Sequence, residues 1–275
     1  MKPIFDTEAY SPAQIAANVE SLGVTKARLP LLPMAMLGML AGGFIGLGAL
    51  YYTLVVSDPG LGFAAGRVFG GVVFSLGLIL VIVGGAELFT GNNLLAMAWA
   101  DGKISSGELA RNWLVVYITN AIGAIALAAV VYWSGHGTMN DGAVAQQYLK
   151  IAAVKTAMPF AEAFFKGVLC NLLVCLAVWL CMAGRSVTDK VLAIVFPISA
   201  FVAAGFEHCV ANMYFIPLAI FLRGSVEAPA GANLATLDWP GFMSNLVPVT
   251  LGNIVGGSAM VALVYHFIYR HGAKS

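Results

Sequence analysis

The chain has 275 residues, 60% of them hydrophobic and 10% charged, with a net charge of +1 and a mean hydropathy of +0.88. Soluble domains carry about 25% charged residues, so this composition excludes a water-soluble globular protein and implies an integral membrane protein. A charge so near neutrality gives no case for nucleic acid as a partner.

Residues 1–28 form a polar N-terminal segment. Its opening, MKPIFDTEAYSPAQIAANVESLG, lacks a short apolar core followed by a small-residue cleavage site, so no cleavable signal peptide is expected. Within it, residues 10–22 predict a short amphipathic helix on the membrane surface, capped by Ser11. Residues 29–270 form a six-span membrane domain, and residues 271–275 a short tail.

A membrane-spanning helix needs about 20 mostly apolar residues. Six runs qualify: Leu29–Val56, Val68–Ala100, Trp113–Ser134, Ala157–Ala183, Val191–Leu222 and Phe242–Tyr269. The second and fifth would each reach roughly 45 Å as one straight helix, against a hydrocarbon core of about 30 Å. Both carry polar residues near the middle, so broken or re-entrant helices are expected there. Lys166 lies within span four, one turn after Glu162, a spacing that predicts a local ion pair. The four cysteines (Cys170, Cys175, Cys181 and Cys209) sit in apolar runs without a CxxC pair and read as small buried hydrophobes. No metal or cofactor is expected.

Charge sets the topology. Lys2, Lys26, Arg28, Lys103, Arg111, Arg185, Lys190, Arg270 and Lys274 flank one face, and Arg67, Lys150, Lys155 and Arg223 the other. The excess places both termini in the cytoplasm.

The two halves repeat each other. NWLVVYITNAIG in span three and NLVPVTLGNIVG in span six share N-x7-N-x2-G, through Asn112, Asn120 and Gly123, then Asn245, Asn253 and Gly256. Ahead of spans one and four stand KARLP and KTAMP, which pair Lys26 with Pro30 and Lys155 with Pro159. In the long spans Glu87 precedes Asn92 by five residues, as Glu207 precedes Asn212. Each half has three spans, so the second half must insert upside down. That is the inverted repeat of many channels and transporters, whose sites form where the broken helices meet. Here those segments are GAELFTGNN and GFEHCVANM.

Ionisable residues inside a span point to function by default. The equivalence of Glu87 and Glu207 favours a structural task, such as accepting backbone N–H bonds at the breaks. His208 aligns with Leu88 and has no counterpart of its own kind, which favours a pore-facing role, with Thr90 within reach. Asn171 and Asn212 read equally as helix-to-helix hydrogen bonds or as pore-lining amides. Phe74, Leu78, Leu88, Phe89 and Phe201 flank the breaks, either as packed core or as narrow apolar constrictions around a polar centre.

The stretches AELFTGNN, KGVLCNLLVCLAVWL, AGRSVTDK, FVAAGFEHCVANMYFIP and NLVPVTLGNIVGG resemble the formate/nitrite transporters of bacteria and archaea. The resemblance covers all six spans. It implies an all-α, aquaporin-like protomer with its own pore, assembled as a homopentamer in the prokaryotic cytoplasmic (inner) membrane. It implies a central site of His208 and Thr90, pore amides at Asn171 and Asn212, and a vestibule lysine at Lys155; on electrostatic grounds Lys26 is expected to collect anions at the other mouth. It assigns the constrictions to Phe74, Leu78, Leu88, Phe89 and Phe201. The implied function is a pH-sensitive channel for formate, carried as formic acid or as formate with a proton. Nitrite or hydrosulfide on the same scaffold is the alternative. The family also suggests that the N-terminal segment gates the cytoplasmic mouth at low pH. The breaks lack the Asn-Pro-Ala pairs of a water channel, and His208 and Cys209, adjacent on a helix, point different ways and make no catalytic dyad. An enzyme is therefore not expected.

Overall fold

A computed structural model describes residues 9–269. Residues 1–8 of the N-terminal segment and the tail 271–275, with Lys2, Arg270 and Lys274, lie outside the described residues.

The described chain is helical, and six of its helices are long and apolar enough to cross a membrane. It is a multi-pass membrane protein. The first helix, α1, runs Pro12–Ala27 behind a reciprocal cap, Gln14 N–H to Ser11 Oγ and Ser11 N–H to Gln14 Oε1. It extends past the expected end at residue 22, carrying Lys26 in its last turn. Its apolar face, Ile15, Ala16 and Val19, packs on Leu94, Ala96, Met97 and Trp179. The face expected to lie on lipid is thus buried against the protein's own chain, at roughly 1.5–3 kcal/mol for each large side chain covered.

Pro30 caps α2 (Leu31–Val56), the first span. The second span comprises α3 (Phe63–Phe74) and α4 (Leu76–Gly84), and stops at Gly85. The chain is non-helical to Thr90, makes a 3-10 turn (Gly91–Leu95) and closes with α5 (Ala96–Ala100). Helix α6 (Ser106–Trp133) starts seven residues before the apolar run does. Its Ser105–Glu108 capping box nucleates it within a polar stretch that hydropathy passes over.

A helix the sequence reading left within a loop, α7 (Ala143–Thr156), precedes Pro159 and the fourth span, α8 (Phe160–Cys181). Lys155 lies in its last turn as Lys26 lies in that of α1. The K-x3-P repeat is therefore a lead-in helix joined to a proline-capped span. The fifth span is α9 (Val187–Ala204), non-helical over 206–208, followed by α10 (Cys209–Leu222). The sixth joins α11 (Trp239–Ile254), a π-helical segment (Val255–Leu263) and α12 (Val264–Tyr269).

The repeat glycines set how closely the spans pack. A Cβ on Gly123 of α6 would sit 1.9 Å from the Met39 carbonyl of α2, and one on Gly256 would sit 2.1 Å from the Val168 carbonyl of α8. Without a hydrophobic driving force between helices in lipid, such close approach carries the association. The ion pair expected on α8 is present, Lys166 Nζ to Glu162 Oε1 at 2.6 Å.

Candidate functional site

Gly85 ends α4 with φ 82° and Gly205 ends α9 with φ 77°, a region side-chain-bearing residues rarely enter. Each then releases a short stretch of non-helical backbone inside the protein, where every polar group needs a partner. Two asparagines of the repeat supply them. Asn120 donates to the carbonyls of Gly38 (2.7 Å) and Glu87 (2.9 Å) and accepts from the Phe89 N–H (2.9 Å). Asn253 donates to the carbonyls of Gly167 (2.8 Å) and Glu207 (3.0 Å) and accepts from the Cys209 N–H (3.0 Å).

The glutamates do something else. Instead of accepting backbone N–H bonds, Glu87 accepts from Lys26 Nζ (2.8 Å) and Asn92 Nδ2 (2.7 Å). Glu207 accepts from Lys155 Nζ (2.8 Å) and Asn212 Nδ2 (2.7 Å). The asparagines took the backbone task, leaving the carboxylates to compensate a lysine each. Each cluster closes the same way. Asn92 donates to Asn112, which donates to the Lys26 carbonyl, and Asn212 donates to Asn245, which donates to the Lys155 carbonyl. Asn212 thus belongs to this cluster and makes no bond to the centre.

The clusters differ at one atom. Lys26 Nζ also donates to Asn92 Oδ1 at 3.1 Å, whereas Asn212 Oδ1 is buried without a partner among the described residues. Lys155 Nζ instead lies 5.6 Å from the centre of the Phe215 ring, a cation–π geometry.

The pseudo-symmetry ends at the centre. Thr90 Oγ1 and His208 Nε2 are 3.0 Å apart, and both residues are buried. His208 is the N-cap of α10, its Nδ1 accepting from the Ala211 N–H at 3.1 Å. A ring nitrogen that accepts carries no proton, so the neutral ring holds its hydrogen on Nε2 and donates to Thr90. Asn171 donates to the carbonyls of Thr90 (3.2 Å) and Asn253 (2.7 Å), bracing the first break against the sixth span. Gly257, in the π segment, leaves room for it, since a Cβ there would fall 2.4 Å from Asn171 Nδ2.

Two cavities flank this centre. The larger, about 440 Å³, is lined by Lys155, Glu207, Asn212, His208, Phe74 and Phe201 among others. Phe201 stacks on the His208 ring at 5.9 Å, and Phe74 meets Phe201 edge-on at 5.7 Å. The smaller, about 50 Å³, is lined by residues of α1 including Lys26, and by Leu78, Leu88 and Gly91. Phe89 lines neither. Its ring packs on Tyr117 (4.9 Å) and Trp113 (6.3 Å) of α6.

Asn93 and Ser258 at the centre were not singled out from sequence, and Cys175 was read only as a buried hydrophobe. Asn93, fully buried, donates to the Phe89 carbonyl, and Ser258 donates to the Asn93 carbonyl. Cys175 donates to the Thr90 carbonyl at 3.3 Å. The Asn92–Asn93 doublet and the Gly-Gly-Ser at 256–258 were the available signals, but neither is matched in the other half.

The sequence profile described as Formate/nitrite transporter matches residues 13–267. The chain belongs to the formate/nitrite transporter family. It is 40% identical over 267 residues to the Escherichia coli K12 formate channel FocA, covering 94% of each chain. It is 41% identical over 268 residues to the uncharacterized transporter YrhG of Bacillus subtilis, covering 96% of this chain and 95% of YrhG. A solved structure described as a pentameric formate channel with formate bound superposes with a TM-score of 0.80 at 41% identity, covering 87% of this chain and 97% of that one. The members of this family are transporters and channels, not enzymes.

Proposed function

We propose that the chain is a formate channel that works as a homopentamer, each protomer with its own pore, and that His208 and Thr90 form its central site. The observation that carries this reading is the 3.0 Å contact between Thr90 and His208, set between two cavities and walled by Phe74, Phe201, Leu78 and Leu88. The similarity to FocA and to the pentameric formate channel supports formate and the five-fold assembly. Both termini face the cytoplasm across a prokaryotic inner membrane.

The physics favours a protonated substrate at the apolar slits. A bare anion in a dry, low-dielectric constriction faces a Born cost of up to tens of kcal/mol. Protonating a carboxylic acid of pKa about 4 at pH 7 costs about 3 units, or roughly 4 kcal/mol. The neutral route wins wherever the slit is dry. Because Nδ1 of His208 is committed to the Ala211 N–H, Nε2 donates to Thr90, whose own hydroxyl hydrogen is left to point at the substrate. His208 and Thr90 together then present an O–H donor to a carboxylate and an acceptor to a carboxylic acid, and the ring guides the proton by orienting the Thr90 hydroxyl and not by taking the proton up, since neither ring nitrogen has a free lone pair.

Reconstituted protein offered formate, nitrite and hydrosulfide in competition across a pH series tests the reading. Formate flux that rises as pH falls, and that loses this dependence in His208→Phe, supports it. Unchanged pH dependence in that variant sinks the proton-guiding role. Preference for nitrite or hydrosulfide over formate reassigns the substrate. Deleting residues 1–22 and finding the same pH profile removes a gating role for the N-terminal segment.

A further inference from the structure

We propose that Arg67 and Lys150 form the anion-collecting pair of the large vestibule, and that Lys155 does not fill that task. This rests on the formate reading above and deepens it. Four cationic side chains line the 440 Å³ cavity: Arg67, Lys150, Lys155 and Lys166. Lys155 is neutralised by Glu207 at 2.8 Å and Lys166 by Glu162 at 2.6 Å. Arg67 and Lys150 have no carboxylate partner among the described residues, and both face the same cavity.

Arg67 is held firmly in place. Its Nε and Nη2 donate to the carbonyls of Ala203 (2.9 Å) and Val202 (2.8 Å) at the end of α9, and Nη1 donates to the Tyr52 hydroxyl (3.1 Å). A helix C-terminus offsets only about half a unit of charge. A guanidinium is always charged, so a positive field persists at the rim of the break that carries His208. Lys150 is exposed on α7, five residues before Lys155, and adds a full charge at the mouth. The cavity beside α1 is different. Among the described residues its one charged lining residue, Lys26, is paired with Glu87 at 2.8 Å. The two mouths therefore differ in electrostatic character: a positive funnel for small monovalent carboxylates on the α7 side, and a compensated mouth on the α1 side. A cleft of one sign with low-dielectric walls raises local counter-ion concentration and entry rate by about 10–10³-fold.

The test is initial-rate formate flux, below saturation, measured in both directions through the reconstituted full chain. Two ionic strengths are compared: about 0.01 M, where the Debye length is roughly 30 Å, and about 0.15 M, where it is about 8 Å. Lys150→Glu is expected to slow entry from the α7 side about 3–10-fold at the lower ionic strength and less than about twofold at the higher, with entry from the α1 side unaltered. Arg67→Lys, which keeps the charge, should retain the salt dependence that Arg67→Gln loses. If the Arg67 variants do not fold, Lys150→Glu and Lys150→Gln carry the test alone. Salt-independent flux in the unaltered protein, or a Lys150→Glu slowing that is the same at both ionic strengths, overturns the inference while leaving the formate reading intact. Absence of formate flux in the unaltered protein overturns both.

Discussion

Asn120 and Asn253 make the same three hydrogen bonds on opposite halves of the protein. Each donates to one carbonyl of a neighbouring span and one carbonyl of its own break, and accepts one N–H from that break. The non-helical backbone on both sides of the site is thus held by one side chain type in one geometry.

Replacing either amide should destabilise the protein. Asn120→Ala leaves the Phe89 N–H and the carbonyls of Gly38 and Glu87 without this partner. At about 1–3 kcal/mol for each buried unsatisfied group, a loss of roughly 3 kcal/mol or more is expected. Asn120→Asp should cost more still, because a carboxylate would face two carbonyls. Thermal unfolding of the detergent-solubilised protein measures both, and a change within error for either variant is the contrary outcome.

The Lys155–Glu207 pair predicts strong coupling between its two members. Lys155→Met alone leaves Glu207 buried with only the Asn212 amide, which should cost about 3–5 kcal/mol, as for other buried pairs broken on one side. Lys155→Met combined with Glu207→Gln should recover much of that loss. A double-mutant cycle in which the two effects simply add would show that the pair is not coupled. The same cycle on Lys26 and Glu87 should behave alike, since the distance is the same 2.8 Å.

His208 has two separable tasks, and substitution should separate them. Asn at this position can still accept the Ala211 N–H as an N-cap but is too short to reach Thr90. His208→Asn should therefore unfold at close to the normal temperature while losing the pH dependence of formate flux. His208→Ala loses the cap as well, at about 0.5–2 kcal/mol. Equal stability of the two variants would mean that the cap contributes nothing.

Glycine substitutions should sort by the space around them. Gly123→Ala and Gly256→Ala press a methyl into a facing carbonyl, at 1.9 and 2.1 Å, and should sharply reduce the yield of folded protein. Gly43→Ala, in α2 with nothing within 4 Å, should be tolerated. Gly257→Ala should fall between in yield and depress flux, because the methyl displaces the Asn171 amide that braces Thr90. Size-exclusion profiles and flux from parallel preparations give the ranking.

Much of this was legible before any coordinates. Apolar run length determined the six spans, because a bilayer admits few ways to satisfy the backbone. The repeat determined which residues form equivalent clusters: the residues it paired, from Lys26 with Lys155 to Gly123 with Gly256, make matching contacts, except that Lys26 also bonds Asn92 Oδ1 where Lys155 instead faces the Phe215 ring. It also marked His208 as the residue breaking the pattern. Helix α7 escaped notice because it is short, half-buried and carries two lysines and two glutamines, so no hydropathy signal marks it.

Only the tertiary structure decided which partner each polar group takes. Glu87 and Glu207 bond lysines while Asn120 and Asn253 bond the backbone, an exchange of tasks that spacing along the chain cannot show. It also turned Phe89 into α6, and placed Asn212 with Glu207 instead of with Thr90. Sequence periodicity reports which face of an element is apolar, whereas partner choice depends on distances between side chains some 20 to more than 80 positions apart. Those distances exist only once the helices are packed.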